Sequence, residues 1–305
     1  MSGAGVESAG AALSLTLEAP AKVNLWLHVL GRSDDGYHLL DTVFQSLELA
    51  DVVSVTCRRV AAGGERVALS VGGQVPCAGG SENLCVRAAE AYLARWPAPV
   101  SVEIVLEKRV PVAAGLGGGS SDAAAVLLAL RRLLGRPTRR RDLEETARSL
   151  GADVPYFLIG GTARGRGRGD LVEPLRDLRP TALWLVAPPV EVATAAVFTE
   201  YARGASGGRE PRCRPIPLPE EHDLEHWIRG NDLEAAARML CAEVEAIYTA
   251  FHRFGFSSVQ LSGSGGVVFG VPPRGLRPQS VAGDLDGVGR LYVTRTRPRR
   301  AFGAG

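Results

Sequence analysis

The sequence contains almost no lysine. Of its 35 basic residues only Lys22 and Lys108 are lysines, and all the others are arginines. An ammonium is a compact point charge with three rotatable donors, whereas a guanidinium is a planar fork that keeps its proton. Two lysines in a chain that otherwise uses arginine therefore indicate positions where a point charge is needed.

Other features that the sequence lacks exclude several classes of protein. It has no run of 18 apolar residues, and residues 1–20 lack the basic segment that opens a signal peptide. A net charge of +2 is too small to attract nucleic acid electrostatically. The five cysteines include no CxxC pair. We therefore expect a cytoplasmic protein with reduced thiols, no membrane span and no nucleic-acid partner, acting as a monomer or a homodimer.

The length of 305 residues favours two lobes over a single core. We expect a disordered tail over residues 1–12, an N-terminal lobe over residues 13–178 and a C-terminal lobe over residues 179–305. Residues 202–221 are rich in glycine, arginine and proline, which predicts a surface loop.

A glycine-rich loop lies near the middle of the chain. Four of the five residues from Gly115 to Gly119 are glycine, which indicates positive φ angles or close approach of the backbone to a ligand. The apolar segment 123–134 predicts a helix, with Ser120 or Ser121 as its N-cap. Backbone amides at a helix N-terminus bind phosphate. The loop is not a Walker A motif, because Ser120 occupies the position that needs lysine.

The segment after Pro20 alternates in polarity, as a strand does. Apolar residues occupy the odd positions from 23 to 29, so Lys22, Asn24, Trp26 and His28 should share the other face. Lys22 and Asn24 would then point into the same space.

Two further stretches carry chemistry outside the glycine loop. Tyr37 and His38 follow a turn, where they offer a stacking face and a ring donor or acceptor for a heterocyclic base. Asp153 lies between a glycine and a proline, which predicts a constrained turn rather than a regular element.

Three stretches together resemble the GHMP kinases, which are small-molecule kinases with a glycine-serine loop. They are residues 20–25, 111–122 and 261–265. Within this superfamily, residues 35–38 and 151–155 make the chain similar to kinases of the non-mevalonate route to isoprenoids. The resemblance covers roughly residues 15–295. Ser262 departs from it, since the family often has threonine there.

The resemblance implies an α/β (α+β) fold with two lobes and an active site in the cleft between them. The N-terminal lobe would carry the glycine-rich loop before a helix, and the C-terminal lobe would be a ferredoxin-like α+β unit. The implied reaction uses ATP and Mg²⁺ to phosphorylate the 2-hydroxyl of a methylerythritol unit in a small cytidyl substrate.

The resemblance also implies roles for individual residues. Lys22 and Asp153 would be catalytic, with no protein residue assigned as a direct metal ligand. The residues implied to bind ATP are Lys108, Pro111, Val112, Ala113, Ala114, Gly115, Leu116, Gly117, Gly118, Gly119, Ser120 and Ser121. Those implied to bind the cytidyl substrate are Asn24, Tyr37, His38, Phe198, Gly263, Ser264 and Gly265, with Tyr37 and Phe198 on either side of the cytosine and His38 at its edge.

Two alternatives remain open from the sequence. Another GHMP kinase, acting on homoserine, mevalonate or a sugar, would keep the glycine loop but would not need Tyr37, His38 and Phe198. A nucleotide-binding module without catalysis would not need Asp153.

Overall fold

The computed structural model describes residues 12–61, 63–64, 66–205, 218–220 and 223–299. Its strands are β1 (Leu13–Arg32), β2 (His38–Arg59), β3 (Val67–Gly73), β4 (Val100–Lys108), β5 (Thr162–Gly167), β6 (Leu171–Pro174), β7 (Ala182–Ala187), β8 (Ser257–Leu261), β9 (Val268–Val271) and β10 (Arg290–Arg295). Its helices are α1 (Leu84–Arg95), α2 (Gly118–Leu134), α3 (Arg140–Leu150), α4 (Val154–Phe157), α5 (Thr194–Ala205), α6 (Leu224–Trp227), α7 (Glu234–Leu240), α8 (Ala242–Arg253) and α9 (Gln279–Ala282). Across these ranges no helix has the length and apolarity needed to cross a bilayer.

The first sheet is organised around the long strand β2. It pairs antiparallel with β1 along most of its length, with β5 through residues 40–45 and with β4 through residues 52–59. β3 lies parallel to β4, and β6 completes the other end beside β5. Helices α1 and α2 cover the sheet, and α2 buries its alanine and leucine side chains against β1 and β2.

The second sheet has the strand order β10-β7-β9-β8 and is antiparallel throughout. In the chain its elements follow as strand, helices, strand, strand, helix, strand, which is the split-βαβ arrangement of ferredoxin-like folds. The prediction of a ferredoxin-like α+β lobe is therefore confirmed. After β10 the chain returns to the first sheet, where Arg297 donates its amide to the Ser46 carbonyl at 2.8 Å. The predicted lobe boundary at residue 178 remains a prediction.

Strand β1 is one continuous strand, but its alternation is broken. The pairing register with β2 shifts between Asn24 and Trp26. A bulge adds one residue, so the side chains beyond it change face. Trp26 therefore packs on Trp227 in the core, with ring centroids 6.0 Å apart, and His28 meets Asp232. The prediction that Trp26 and His28 share the face of Lys22 and Asn24 was wrong.

Helix α2 begins earlier than the sequence predicted. Its N-cap is Gly117, with φ +68°, so Ser120 and Ser121 lie inside the first turns and neither is the cap. A side chain at Gly117 would come within 2.8 Å of the Phe157 ring, which explains why glycine rather than serine stands there.

The sequence of residues 231–254 predicts one long helix, but the structure divides it at Cys241 into α7 and α8. The predicted tail falls almost wholly, and the 202–221 loop mostly, outside the described residues.

Candidate active site

Two cavities meet at the glycine-rich loop. The cleft cavity, of about 760 Å³, is lined from the first sheet by Lys22 and Asn24, from the position just before α4 by Asp153 and from the second lobe by Phe198 and Gly263, among others. The loop cavity, of about 430 Å³, is lined by residues 111–115 and 117–120 and by the start of α1. The two cavities share Gly115 and Ser120. A group passing from one cavity to the other would therefore cross the glycine loop.

Lys22 and Asp153 form an ion pair in the cleft cavity. The Lys22 Nζ lies 3.4 Å from the Asp153 Oδ2, with the lysine side chain 4% exposed and the aspartate 33% exposed. The same ammonium donates to Asn24 Oδ1 at 2.7 Å, and the Asn24 amide donates to Thr42 Oγ1 at 2.8 Å. The prediction that Lys22 and Asn24 point into one space is confirmed. The chain of hydrogen bonds fixes the ammonium next to a carboxylate that remains accessible.

The glycine loop is attached to the strand that carries Lys22. The Lys22 amide donates to the Leu116 carbonyl at 2.9 Å, and a Cβ at Gly117 would lie 3.2 Å from Lys22 Cε. A Cβ at Gly263 would lie 3.5 Å from the Lys22 Nζ. The contact at Gly117 is tight, so glycine there lets the loop approach the lysine, whereas at Gly263 the φ of +59° is what favours glycine.

The two glycine clusters also pack on each other. Gly115 has φ +75°, and a Cβ there would overlap the Ser262 carbonyl oxygen. A Cβ at Gly265 would likewise overlap the Gly115 amide nitrogen. The Ser262 hydroxyl donates to the Gly115 carbonyl at 3.0 Å. Gly263 and Ser264 line the cleft cavity, whereas Gly265 provides the close contact between the loops.

The second lysine lies under the base of the same loop, between two carboxylates. The Lys108 Nζ donates to Asp51 Oδ2 at 2.5 Å and to Asp122 Oδ2 at 2.9 Å, and all three side chains are buried. Asp51 Oδ1 also accepts the amides of Arg109 and Val110. The lysine thus joins β2, β4 and α2 where the loop begins.

Burial and charge act against each other in this cluster. Burial raises the pKa of Asp122 to about 7, while the Lys108 ammonium opposes the rise and the Asp51 carboxylate adds to it. Burial lowers the pKa of Lys108, but the carboxylates of Asp122 and Asp51 outweigh it and leave that pKa above its ordinary value. Asp122 Oδ1 is buried and has no partner among the described residues, although Asp122 lines the loop cavity.

Aromatic rings surround the outer end of the cleft cavity. His38 stacks on Phe198, with ring centroids 4.6 Å apart, and burial together with the charge of Arg32 lowers the pKa of His38. Tyr37 is 54% exposed, and the Arg168 guanidinium lies 4.2 Å from its ring centroid. Among the described rings the stacking partner of Phe198 is His38 and not Tyr37. The expected sandwich of Tyr37 and Phe198 around a base remains a prediction.

Comparisons with known proteins match this arrangement. Residues 83–161 match the GHMP kinases N terminal domain, and residues 218–290 match the GHMP kinases C terminal domain. The 4-diphosphocytidyl-2-C-methyl-D-erythritol kinase of Moorella thermoacetica is 40% identical over 92% of this chain and 99% of its own length. The chain belongs to this kinase family. The family member from Thermus thermophilus is 41% identical over 90% of this chain and 94% of its own length.

Solved structures agree with membership of the 4-diphosphocytidyl-2-C-methyl-D-erythritol kinase family. A crystal structure of 4-(cytidine 5'-diphospho)-2C-methyl-D-erythritol kinase superposes with a TM-score of 0.73 at 37% identity, covering 92% of this chain and 99% of the other. The homoserine kinase of Cytophaga hutchinsonii superposes with a TM-score of 0.64 at 19% identity, covering 98% of each chain. That second likeness shows the shared fold alone.

Most of the residues that the resemblance to this family indicated lie at one of the two cavities. The exceptions are Leu116, Ser121 and Gly265, which line neither cavity and would act through their backbones if at all. Sequence reasoning missed Asp51 and Asp122. Asp122 directly follows the two serines and could have been noticed, but Asp51 is 57 residues from Lys108 and had no local signal.

Proposed function

We propose that this protein transfers the γ-phosphoryl group of ATP to the 2-hydroxyl of 4-diphosphocytidyl-2-C-methyl-D-erythritol. The observation that carries the proposal is the Lys22–Asp153 pair at the point where the cleft cavity meets the glycine loop. Family membership at about 40% identity over most of the chain supports the choice of acceptor.

In the proposed reaction Asp153 receives the proton of the acceptor hydroxyl. One oxygen of this carboxylate lies 3.4 Å from the Lys22 ammonium, and the side chain is exposed enough to reach a bound alcohol. Phosphoryl transfer passes through a loose transition state, in which positioning and charge stabilisation supply most of the catalysis. Lys22, fixed by Asn24, would hold the carboxylate and the incoming oxygen and counter the charge on the transferred group.

The nucleotide would occupy the loop cavity. Amides of the glycine loop and the N-terminal end of α2 suit the phosphates, because both present unpaired donors and positive charge. The cluster of Asp51, Lys108 and Asp122 would support the loop from below.

The residues present also fit Mg²⁺ that enters with ATP. The described part of the chain has no group of three His, Cys, Asp or Glu side chains that could hold a metal ion. Mg²⁺ commonly keeps its waters and binds through substrate phosphates with one or two carboxylates. The Oδ1 of Asp122, which has no hydrogen-bond partner among the described residues, is an oxygen ligand at the loop cavity, where the nucleotide would bind. When bound, Mg²⁺ would neutralise charge on the phosphates.

The aromatic end of the cleft cavity would take the cytosine. The lowered pKa of His38 keeps its ring neutral near pH 7, so that one ring nitrogen can donate and the other accept. Tyr37 and Phe198 supply the stacking faces. The four described cysteines are unpaired thiols, which favours the cytoplasm as the place of action.

An ADP-release assay with three acceptor alcohols tests the proposal. The cytidyl substrate should support turnover, while mevalonate and homoserine should not, and Tyr37→Ala should raise KM for the cytidyl substrate. Turnover with mevalonate or homoserine instead would favour another GHMP kinase. No turnover with any acceptor, despite ATP binding, would favour a binding module.

A further inference from the structure

We propose that Arg168 is a specificity-determining residue that recognises the diphosphate of the acceptor substrate. The inference rests on the proposed function, since it concerns the same cleft cavity. It adds a phosphate subsite to the aromatic base site and the Lys22–Asp153 pair.

The turn that carries Arg168 is held in a fixed shape. It joins β5 to β6 through residues 168–170, and Gly167 at the end of β5 and Gly169 in the turn have positive φ angles, of +67° and +94°. The Gly169 amide donates to the Arg166 carbonyl at 3.0 Å, and the Arg168 amide donates to Asp170 Oδ1 at 3.1 Å. The backbone of Arg168 is therefore positioned before any ligand binds.

The side chain of Arg168 has a charge that acts electrostatically on the nearby Asp35 carboxylate without pairing with it directly. Its guanidinium stacks over the ring of Tyr37, with 4.2 Å between the guanidinium carbon and the ring centroid. It lines the cleft cavity, it is exposed, and it forms no ion pair with a carboxylate in the part of the chain that the structure describes. Stacking satisfies the face of the guanidinium but leaves its N–H donors free at the edge.

Arg168 lies on the wall of the cleft cavity between its aromatic end, at Tyr37, and its catalytic end, at Asp153. On one side it contacts Tyr37 at the base end. On the other side the same turn accepts a hydrogen bond from Arg148, whose Nε lies 3.4 Å from the Asp170 carbonyl. Arg148 is in α3, and the residues that follow this helix lead directly to Asp153. A ligand with its base at Tyr37 and its hydroxyl at Asp153 would pass its middle along this wall.

The chemistry of the wall suits a diphosphate. Arg148 and Arg168 both line it, whereas Asp170 uses one carboxylate oxygen on the Arg168 amide. Arg148 is only weakly engaged, with 3.9 Å between its Nη2 and Glu144 Oε2. Guanidinium groups bind phosphate oxygens through parallel hydrogen bonds, which are stronger than those between neutral groups. This subsite would separate a cytidine-diphosphate alcohol from an alcohol that carries no phosphate.

Binding of CDP and of cytidine to the protein saturated with ADP tests the proposal, because these ligands differ only in the phosphates. Arg168→Gln should weaken CDP binding in calorimetry by about 10-fold or more, as expected for lost hydrogen bonds to a charged group. Cytidine binding should change by less than about 3-fold, and Arg168→Lys should recover part of the CDP affinity.

Arg166→Gln is the matched control. Arg166 belongs to the same turn region, is half exposed and lies 3.8 Å from Glu173, but it does not line the cleft cavity. It should leave both affinities unchanged, and ADP binding should be equal in all variants.

The outcomes separate this inference from the proposed function. Equal weakening of CDP and cytidine by Arg168→Gln would show that Arg168 only supports Tyr37, and no weakening would remove it from recognition. Either result, with normal turnover of the cytidyl substrate by the unmodified protein, overturns this inference alone. If the unmodified protein neither binds CDP nor turns over the cytidyl substrate, the proposed function fails as well.

Discussion

Replacing each of the two lysines by methionine should have a different main effect, on stability for Lys108 and on turnover for Lys22. Both are buried next to carboxylates, so they form a matched pair within one chain. Lys108→Met should destabilise the fold while leaving the Lys22–Asp153 pair in place. Lys22→Met should remove most turnover while costing less stability.

The magnitudes follow from the partners that each lysine leaves behind. Lys108→Met leaves Asp51 and Asp122 facing each other in the core, and breaking such a buried pair typically costs about 3–5 kcal/mol. Lys22→Met leaves Asn24 Oδ1 without its donor, which costs ~1–3 kcal/mol, whereas Asp153 is one-third exposed and water can solvate it. We expect Lys108→Met to be the more destabilising by roughly 2 kcal/mol.

The defect of Lys108→Met should also depend on pH. The pKa of Asp122 is already raised to about 7 in the folded protein, and loss of the ammonium raises it further. Both folded proteins bind this proton where the unfolded chain, with an ordinary Asp pKa of about 4, does not, but the unmodified protein releases it at about pH 7 whereas the variant keeps it to a higher pH. Such a group stabilises the fold as pH falls, so the defect should be smaller at pH 5 than at pH 8.

Urea unfolding followed by tryptophan fluorescence measures both effects, and the ADP-release assay measures turnover. The reasoning would be refuted if the two variants unfolded at the same urea concentration with equal slopes, or if the Lys108→Met defect did not change between pH 5 and pH 8.

Two further predictions concern the loop and the aromatic end. Gly115→Ala should weaken ADP binding by at least about 10-fold, because its Cβ would overlap the Ser262 carbonyl and displace the loop. Gly135→Ala is the control, since Gly135 also has a positive φ but has open space around it; this variant should lose only ~1–2 kcal/mol of stability. Calorimetry should show that Gly135→Ala binds ADP as the unmodified protein does. Burial and Arg32 lower the pKa of His38, so the unfolded state binds its proton first and stability should fall as pH drops through about 6.5. Urea midpoints at pH 7.5 and pH 5.5 should therefore differ less in His38→Gln than in the unmodified protein, and an unchanged difference would contradict this.

Regular elements and the local motifs could be predicted from the sequence. Residues 100–106 alternate in polarity, which predicts a strand where β4 lies, and residues 83–94 have the amphipathic pattern of a helix where α1 lies. The juxtaposition of Lys22 and Asn24 also followed, because they are two residues apart on a strand before any irregularity.

Features that depend on pairing across the chain could not be predicted. The bulge after Asn24 arises from the register of β1 against β2. It turns Trp26 into the core, although apolar residues occupy alternate positions in this part of the sequence. Asp51, one of the two partners of Lys108, is 57 residues away in the chain, so no local spacing in the sequence indicates the pair. The contact between Gly115 and Ser262 joins loops that are 147 residues apart.

Single-turnover transfer to the cytidyl substrate, compared between the unmodified protein and Asp153→Asn, tests the central claim most directly. The product can be identified by ³¹P NMR. The account predicts a new phosphomonoester and a rate at least ~10²-fold lower in the variant, with binding of both substrates retained. An unchanged rate in Asp153→Asn, or ATP consumption without a phosphomonoester on the cytidyl substrate, would contradict it.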